Sequence, residues 1–356
     1  MTIKVLIVDD SALVRSLLAE IIHSDARFTL VGAAPDAYVA RDMVKEFSPD
    51  VITLDIEMPR MDGLSFLEKL MAARPTPVVM TSTLTEAGAD ATLQALELGA
   101  VDFVPKPKLG ISAGIREYSD MILEKIYAAS QVRLTPIKQK NFHADVISAE
   151  KISVTGRLQS TEKIIAIGAS TGGTEAIKDV LMQLPAAVPG IVMTQHMPPG
   201  FTKTYAERLN KMTRLHVVEA KGGERILPGH AYLAPGGMHL LVSRYGADYV
   251  IKLSDSALVN GHRPAVDVMF DSVAAACGKN VIAVLLTGMG KDGAKGMLEI
   301  QKSGGYTLAQ DEKSCVVFGM PKEAIALGGV DKVVALDNMG AAILDKLKIM
   351  GTGNRL

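Results

Sequence analysis

Two α/β domains in tandem, each a doubly wound parallel sheet, are the fold class that this sequence predicts. Three observations predict it. Short β-branched runs alternate with helical apolar periodicity, one polar stretch interrupts the alternation, and 356 residues exceed what one ordinary core holds. The expected limits are 1–130 for the first domain, 131–162 for a linker and 163–350 for the second domain.

In the first domain, the run Lys4 to Val8 ends in Asp9-Asp10 and precedes apolar residues at helical spacing, Ala12, Leu13, Leu17, Leu18, Ile21 and Ile22. A second strand is expected at Thr29 to Ala33, then a helix from Ala37 to Phe47, and a third strand from Val51 to Asp55. Pro77 to Thr81 and Val101 to Val104 supply the fourth and fifth strands. Such sheets bind ligands at the carboxyl ends of their strands. Asp9, Asp10 and Asp55 fall at two of those ends, where three like charges repel unless a hard cation neutralises them, and Mg2+ suits an oxygen-rich, partly hydrated site. Ser82 after the fourth strand and Lys106 after the fifth add a hydroxyl and a cation able to bind a phosphoryl group. The plain alternative is a set of helix caps and solvated charges.

Asp9-Asp10, the segment Asp55-Ile56-Glu57-Met58-Pro59-Arg60-Met61-Asp62-Gly63, and Phe103-Val104-Pro105-Lys106-Pro107 resemble a response-regulator receiver domain of flavodoxin-like fold. The resemblance implies phosphorylation of Asp55. It also implies magnesium held by Asp9, Asp10, Asp55 and the backbone carbonyl of Glu57, phosphoryl contacts from Ser82 and Lys106, and Phe103 in the place of the switch aromatic. Thr81-Ser82-Thr83 leaves the register of the hydroxyl open, and Phe103 has no phenolic oxygen.

From Ser130 to Glu162 periodicity weakens and polar residues dominate, which marks the linker. The second domain opens on the apolar run Lys163 to Ile167, followed by Gly168-Ala169-Ser170-Thr171-Gly172-Gly173 and a helical pattern from Thr174 to Leu184. This G-x-S-x-G spelling fits a serine held proud of a strained strand-to-helix turn, beside the unpaired N–H groups of the helix. A tight turn or a phosphate cradle with the serine as a helix cap fits the same letters. Gly190 to Thr194 is a second strand and ends at Gln195-His196. Val217 to Arg244 reads as β-hairpin material with turns at Gly222-Gly223, Pro228-Gly229 and Pro235-Gly236-Gly237. Arg263-Pro264-Ala265-Val266-Asp267 leads into a helix from Val268 to Ala276, and the strand Val281 to Leu286 empties into Thr287-Gly288-Met289-Gly290-Lys291-Asp292-Gly293.

Ser170, His196 and Asp292 thus stand at three strand ends as nucleophile, base and orienting carboxylate. The same last loop spells G-x-G-x-x-G at Gly288, Gly290 and Gly293, but a dinucleotide fingerprint opens its unit, whereas this one follows several strands. Gly168 to Gly173, Gln195-His196-Met197, Arg263 to Asp267 and Leu286 to Gly293 resemble the catalytic domain of the chemotaxis protein-glutamate methylesterases. The resemblance implies a Rossmann-like hydrolytic domain with a β-hairpin insertion. It implies a phosphorylation-activated enzyme that hydrolyses glutamate methyl esters on chemoreceptor helices and deamidates receptor glutamines, with a histidine kinase as phosphodonor. Elbow geometry gives the Thr171 N–H as an oxyanion donor. The resemblance adds that of Met289, and Arg263 either contacts substrate or bridges loops. No metal is expected in the hydrolytic step.

Bulk properties bound the alternatives. No uninterrupted apolar stretch nears the ~20 residues needed to span a bilayer, and Met1-Thr2-Ile3-Lys4 has no secretory layout, so a cytoplasmic location without membrane insertion is expected; a monomer is the expected state, although the sequence does not say whether a dimer forms. Cys277 and Cys315 are the only cysteines, too few for a disulfide framework or a four-cysteine zinc site. Residues 1–130 carry 12 Lys+Arg against 19 Asp+Glu and the rest 26 against 20, so a −7 domain is tethered to a +6 remainder. Opposite signs favour docking of the two. The basic residues are scattered and the second half shows no helix-turn-helix pattern, which speaks against nucleic acid and against a DNA-binding regulator. A non-enzymatic adaptor with a vestigial triad is the remaining alternative.

Overall fold

The computed structural model describes residues 2–83, 85–106, 115–132 and 163–351. The expected linker lies almost wholly outside the described residues, as does Pro107. The first unit runs β1 (Ile3–Val8), α1 (Ala12–His23), β2 (Phe28–Ala34), α2 (Ala37–Phe47), β3 (Val51–Asp55), α3 (Gly63–Ala73), β4 (Val78–Ser82), α4 (Glu86–Glu97), β5 (Asp102–Pro105) and α5 (Ile115–Ser130). Its five strands pair in parallel in the order β2-β1-β3-β4-β5. β3 and β4 are buried at every position, as strands covered by helices on both faces must be. Side chains of Ser11, Asp36, Asp62 and Thr85 accept from the first-turn N–H groups of α1 to α4, which fixes where each helix starts.

The second unit runs β6 (Ile164–Ala169), α6 (Gly173–Met182), β7 (Gly190–Gln195), α7 (Phe201–Met212), β8 (His216–Glu219), β9 (His230–Leu233), β10 (His239–Tyr245), β11 (Asp248–Ser254), α8 (Val266–Cys277), β12 (Val281–Leu285), α9 (Ala294–Lys302), β13 (Tyr306–Gln310), α10 (Met320–Ala326), β14 (Lys332–Val334) and α11 (Met339–Gly351). Seven strands form one parallel sheet, β14-β13-β12-β6-β7-β9-β8. The hairpin insertion is smaller than the sequence suggests and lies further along. Of the strands named, β10 and β11 pair antiparallel, turning at Gly246-Ala247, with Arg225 bridged antiparallel to Val250 of β11, whereas β8 and β9 lie parallel in the main sheet. The glycines at 222 and 223 do not close a hairpin. They turn the chain so that residues 223–226 run antiparallel along β11, where Gly223 N–H donates to Ile251, Ile251 N–H to Glu224 and Ile226 N–H to Tyr249.

The two units touch. α4 packs on α6 and α7, and one apolar cluster runs from Leu93, Leu96 and Phe103 to Phe201, Tyr205 and Leu209. Phe103 and Phe201 meet with ring centroids 4.6 Å apart. Around this contact Glu97 pairs with Arg208 and Lys178. The expected attraction between a negative and a positive unit therefore has specific partners.

Gly168 near the end of β6 has no room for a side chain, since a Cβ there would lie 2.3 Å from Cγ1 of Val266 on α8. Gly168→Ala is expected to cost about 1–3 kcal/mol through overpacking. Thermal denaturation should register the loss, and Val266→Ala should recover part of it if this contact is the cause.

Candidate active site

The turn between β6 and α6 is held from three sides. Ser170 N–H donates to the Thr287 carbonyl (3.0 Å), while the Ser170 carbonyl accepts from Gly173 N–H (2.7 Å) and from the Gln195 amide (2.9 Å). Gly172 sits at φ +75°, in the left-handed region, and a Cβ there would lie 2.6 Å from Val316. No side chain caps α6, so its first N–H groups and positive dipole end stay beside the serine.

His196 follows β7, the strand next to β6, and Asp292 follows β12 on the other side of β6. His196 Nδ1 is 3.1 Å from Ser170 Oγ, and Nε2 is 2.7 Å from Asp292 Oδ2. The carboxylate can only accept, so Nε2 carries the proton and Nδ1 is the base facing the serine. The ring is turned the other way from that of trypsin-like enzymes, in which Nε2 faces the serine. Burial by itself would raise the Asp292 carboxyl. His196, the Val266 N–H and the Asn260 amide outweigh it and hold the group well below the usual carboxylate range. Its four donors are His196 Nε2 and Val266 N–H on Oδ2, with Asn260 Nδ2 and Asp267 N–H on Oδ1.

Thr171 is buried next to the nucleophile, and its hydroxyl donates to Asp102 Oδ2 of β5 across the junction of the units (2.5 Å). Gly288 lies against the elbow, where a Cβ would come within 2.7 Å of the Ser170 Cβ. The glycine-rich loop 288–293 is thus engaged in positioning Asp292 and backing Ser170. Arg263 Nη1 donates to the carbonyls of Asp255 and Ser256 (2.6 and 2.9 Å), which is the loop-bridging geometry.

A second constellation lies on the first unit. Carboxylate oxygens of Asp9, Asp10 and Asp55 come within 4.8 Å of one another. Asp9 Oδ2 is buried without a hydrogen-bond donor, and Lys106 Nζ reaches Asp55 Oδ2 at 2.7 Å but Asp9 only at 3.8 Å. Burial, with the Asp9 charge adding to it against the pull of Lys106, pushes the Asp55 carboxyl up to about 6. Three oxygen donors around an uncompensated buried lone pair suit a small hard cation. Ser82 lines the cleft beside Asp55 and Glu57, its hydroxyl directed to the Gly88 carbonyl (3.1 Å). Phe103 is buried and turned toward Phe201.

The model of the response regulator receiver domain family matches residues 5–110, and that of the CheB methylesterase family matches residues 165–343. The chain belongs to the CheB methylesterase family. It is 59% identical over 356 residues to the protein-glutamate methylesterase/protein-glutamine glutaminase 2 of Pseudomonas aeruginosa, covering 100% of both chains. To the protein-glutamate methylesterase/protein-glutamine glutaminase of Methylobacillus flagellatus it is 59% identical over 347 residues, 98% of this chain and 97% of the relative. Among solved structures, the CheB methylesterase catalytic domain of Thermotoga maritima aligns with a TM-score of 0.51 at 42% identity, over 52% of this chain and 98% of that one.

In this CheB methylesterase chain the fold brings Ser170, His196 and Asp292, each expected at a strand end, into one hydrogen-bonded line. Gln195 and Thr287 stand inside the motifs quoted above without a role of their own, and Asn260 and His262 fall outside them. Asn260-Gly261 is a turn dipeptide, with φ values of +52° and +81° in the structure, and no local signal in the sequence ties such a dipeptide to a carboxylate 32 residues on.

Ser170→Ala is expected to abolish ester hydrolysis without changing the melting curve or the phosphorylation of Asp55. Asp292→Asn should lower turnover by roughly 10⁴, as in another triad. The new amide would also set N–H against the donors of Val266 or Asp267. Steady-state methanol release decides both, and wild-type turnover by the Ser170 variant would remove the triad.

Proposed function

We propose that this protein is a phosphorylation-activated serine hydrolase that removes methyl groups from esterified glutamates of chemoreceptors and deamidates receptor glutamines, serving chemotactic adaptation. The observation that carries this reading is the line Ser170 Oγ, His196 Nδ1, His196 Nε2, Asp292 Oδ2. A vestigial adaptor would not be expected to keep four donors on the orienting carboxylate.

In the proposed reaction, Ser170 Oγ attacks the ester carbonyl carbon as His196 Nδ1 takes the hydroxyl proton. Asp292 holds the ring and stabilises the imidazolium that results. The developing oxyanion faces the N–H groups of Thr171 and Met289 at the elbow. Nδ1 then returns the proton to the departing methoxide, or to the amine when a glutamine is the substrate. Water, deprotonated by Nδ1, attacks the acyl-serine and frees the glutamate carboxylate and Ser170. These steps ask nothing of a metal.

In the receiver domain, Asp9, Asp10, Asp55 and the Glu57 carbonyl would hold Mg2+, which when bound would offset the charge of a phosphoryl group on Asp55. Lys106, already 2.7 Å from Asp55, and Ser82 at the cleft would contact that group. The phosphodonor is read as a histidine kinase. The protein is read as a cytoplasmic monomer, and among the described residues no helix is long and apolar enough to cross a membrane.

The unphosphorylated receiver is read as a lid on the elbow. Support comes from β5, which carries Asp102 on Thr171, Phe103 on Phe201 and, at its end, Lys106 on Asp55. A phosphoryl group that drew Lys106 would bear on the strand that makes both contacts, and a switch biases an equilibrium only through such a differential interaction.

Small phosphodonors or beryllofluoride should stimulate hydrolysis only with magnesium present, and Asp55→Asn should remove the response. A magnesium-independent response would assign the acidic cluster another role.

A truncated chain, 161–356, should hydrolyse receptor esters faster than the unphosphorylated full chain. Added salt should narrow the gap only in part, because Glu97 with Arg208 and Lys178 is screened while the Phe103–Phe201 contact is not. Equal or lower activity in the fragment would leave active stimulation by the receiver as the explanation.

A further inference from the structure

Val259 to His262 form a two-residue hairpin turn. Val259 and His262 exchange backbone hydrogen bonds (3.1 and 2.9 Å), and Asn260 and Gly261 both have positive φ, +52° and +81°. A turn of this kind fixes the directions of its flanking side chains, because both central residues sit in one narrow backbone region. Here the directions converge on the catalytic dyad. From one side, the Asn260 amide donates to Asp292 Oδ1 and to Asp267 Oδ2, each at 2.8 Å. Two carboxylate acceptors leave no doubt which end of the amide faces inward. From the other side, the His262 ring lies over the His196 ring, centroids 3.6 Å apart and planes 16° from parallel.

We propose that the Asn260–His262 turn is a positioning clip for the proton relay: Asn260 fixes the carboxylate plane of Asp292, and the His262 ring fixes the plane of His196. The proposal rests on the triad reading. Its physical need is plain. His196 follows a strand end and its ring could rotate about its side-chain bonds, yet Nδ1 and Nε2 must stay aimed at Ser170 and Asp292 through a full protonation cycle. In-plane hydrogen bonds resist sliding, and a stacked ring resists tilting.

The stack also survives protonation of His196, because the second ring does not compete for the proton. Burial and then the neighbouring His196 push His262 down to about 3, against the pull of Asp292, and Lys125 of the receiver acts in the same downward sense. A neutral aromatic face against an imidazolium is attractive, whereas two imidazolium rings would repel. His262 therefore acts through His196, as a positioning residue that keeps the base aligned.

The test uses the full chain, stimulated with acetyl phosphate and magnesium and assayed for methanol release from methylated receptor membranes. Four variants are compared: His262→Ala, which removes the stack; His262→Phe, which keeps a flat ring; Asn260→Gly, which accepts the positive φ but removes the amide; and Ser170→Ala. His262→Ala should lower kcat about 10- to 100-fold, the scale of a small misplacement of reacting groups. Its KM should stay within about twofold, since the turn acts on the base and leaves bound substrate alone. Phe should restore most of the rate. Asn260→Gly should lower kcat about tenfold. The low-field proton resonance of the His196–Asp292 hydrogen bond should persist in His262→Phe and broaden or vanish in the other two turn variants.

Wild-type kcat in both His262→Ala and Asn260→Gly, with Ser170→Ala inert, would overturn the clip and leave the triad standing. So would a Phe variant as slow as the Ala variant. Turnover by Ser170→Ala would overturn the triad and the clip together. If His262→Ala fails to fold, Asn260→Gly and His262→Phe still decide.

Discussion

The proposed catalytic centre depends on one constraint, the side-by-side parallel pairing of β12, β6 and β7. The register sets Leu285 opposite Gly168 and Gly168 opposite Thr194, so the three strands end at one level. Each end then contributes one group within a few residues, Asp292, Ser170 and His196. β6 is also where the strand order reverses, with β7, β9 and β8 on one side and β12, β13 and β14 on the other. The helices after β6 and β12 therefore pack on opposite faces of the sheet, the arrangement found at the ligand sites of other open parallel sheets. The small residues follow from the same geometry. Gly168 clears Val266, Gly288 clears the Ser170 Cβ, and Gly173 clears Gln195, so each chain end can approach the next without a side chain between them.

The two constellations of carboxylates are built on opposite electrostatic terms. Asp292 is buried but meets four donors, and the ionised form wins. Asp9 and Asp55 are also buried, but they face each other with Lys106 as their nearest cation, and both are held above the usual carboxylate range by burial first. A saturated carboxylate is a fixed support for a base, whereas an under-coordinated pair is a place for an added cation and a charged adduct. The difference between a positioning role and a binding role is thus visible in the donor count alone.

Much of this was legible in the sequence because the signals are local. Strands read as β-branched runs, and their carboxyl ends mark where chemistry collects, so Asp9, Asp55, Lys106, Ser170, His196 and Asp292 could each be placed on an end without knowing the pairing. The hairpin was misjudged over Val217 to Arg244 because turn residues report a change of direction and carry no information on the partner. At Gly222-Gly223 the chain turns to run along β11 and then continues into β9, which pairs parallel with β8. The contacts that only the tertiary fold creates stayed hidden. Asp102 reads as a residue opening a strand, yet it joins Lys125 of its own unit (2.5 Å) to Thr171 of the other. His262 reads as one more turn histidine until the fold lays it on His196.

Under the proposed lid, the β5 junction has a consequence in the reverse direction. A receptor helix seated at Ser170 and the docked receiver would compete for the same face, so whatever free energy a noncovalent phosphoryl mimic at Asp55 adds toward exposing the serine, an occupied serine must return to the receiver as tighter binding of that mimic. Phe103 and Asp102 stand only three and four residues before Lys106, and the coupling needs no longer route. Adaptation would then be felt upstream. Receptors rich in methyl groups would favour the undocked receiver more than demethylated ones, and so would act on the switch as well as serving as its targets.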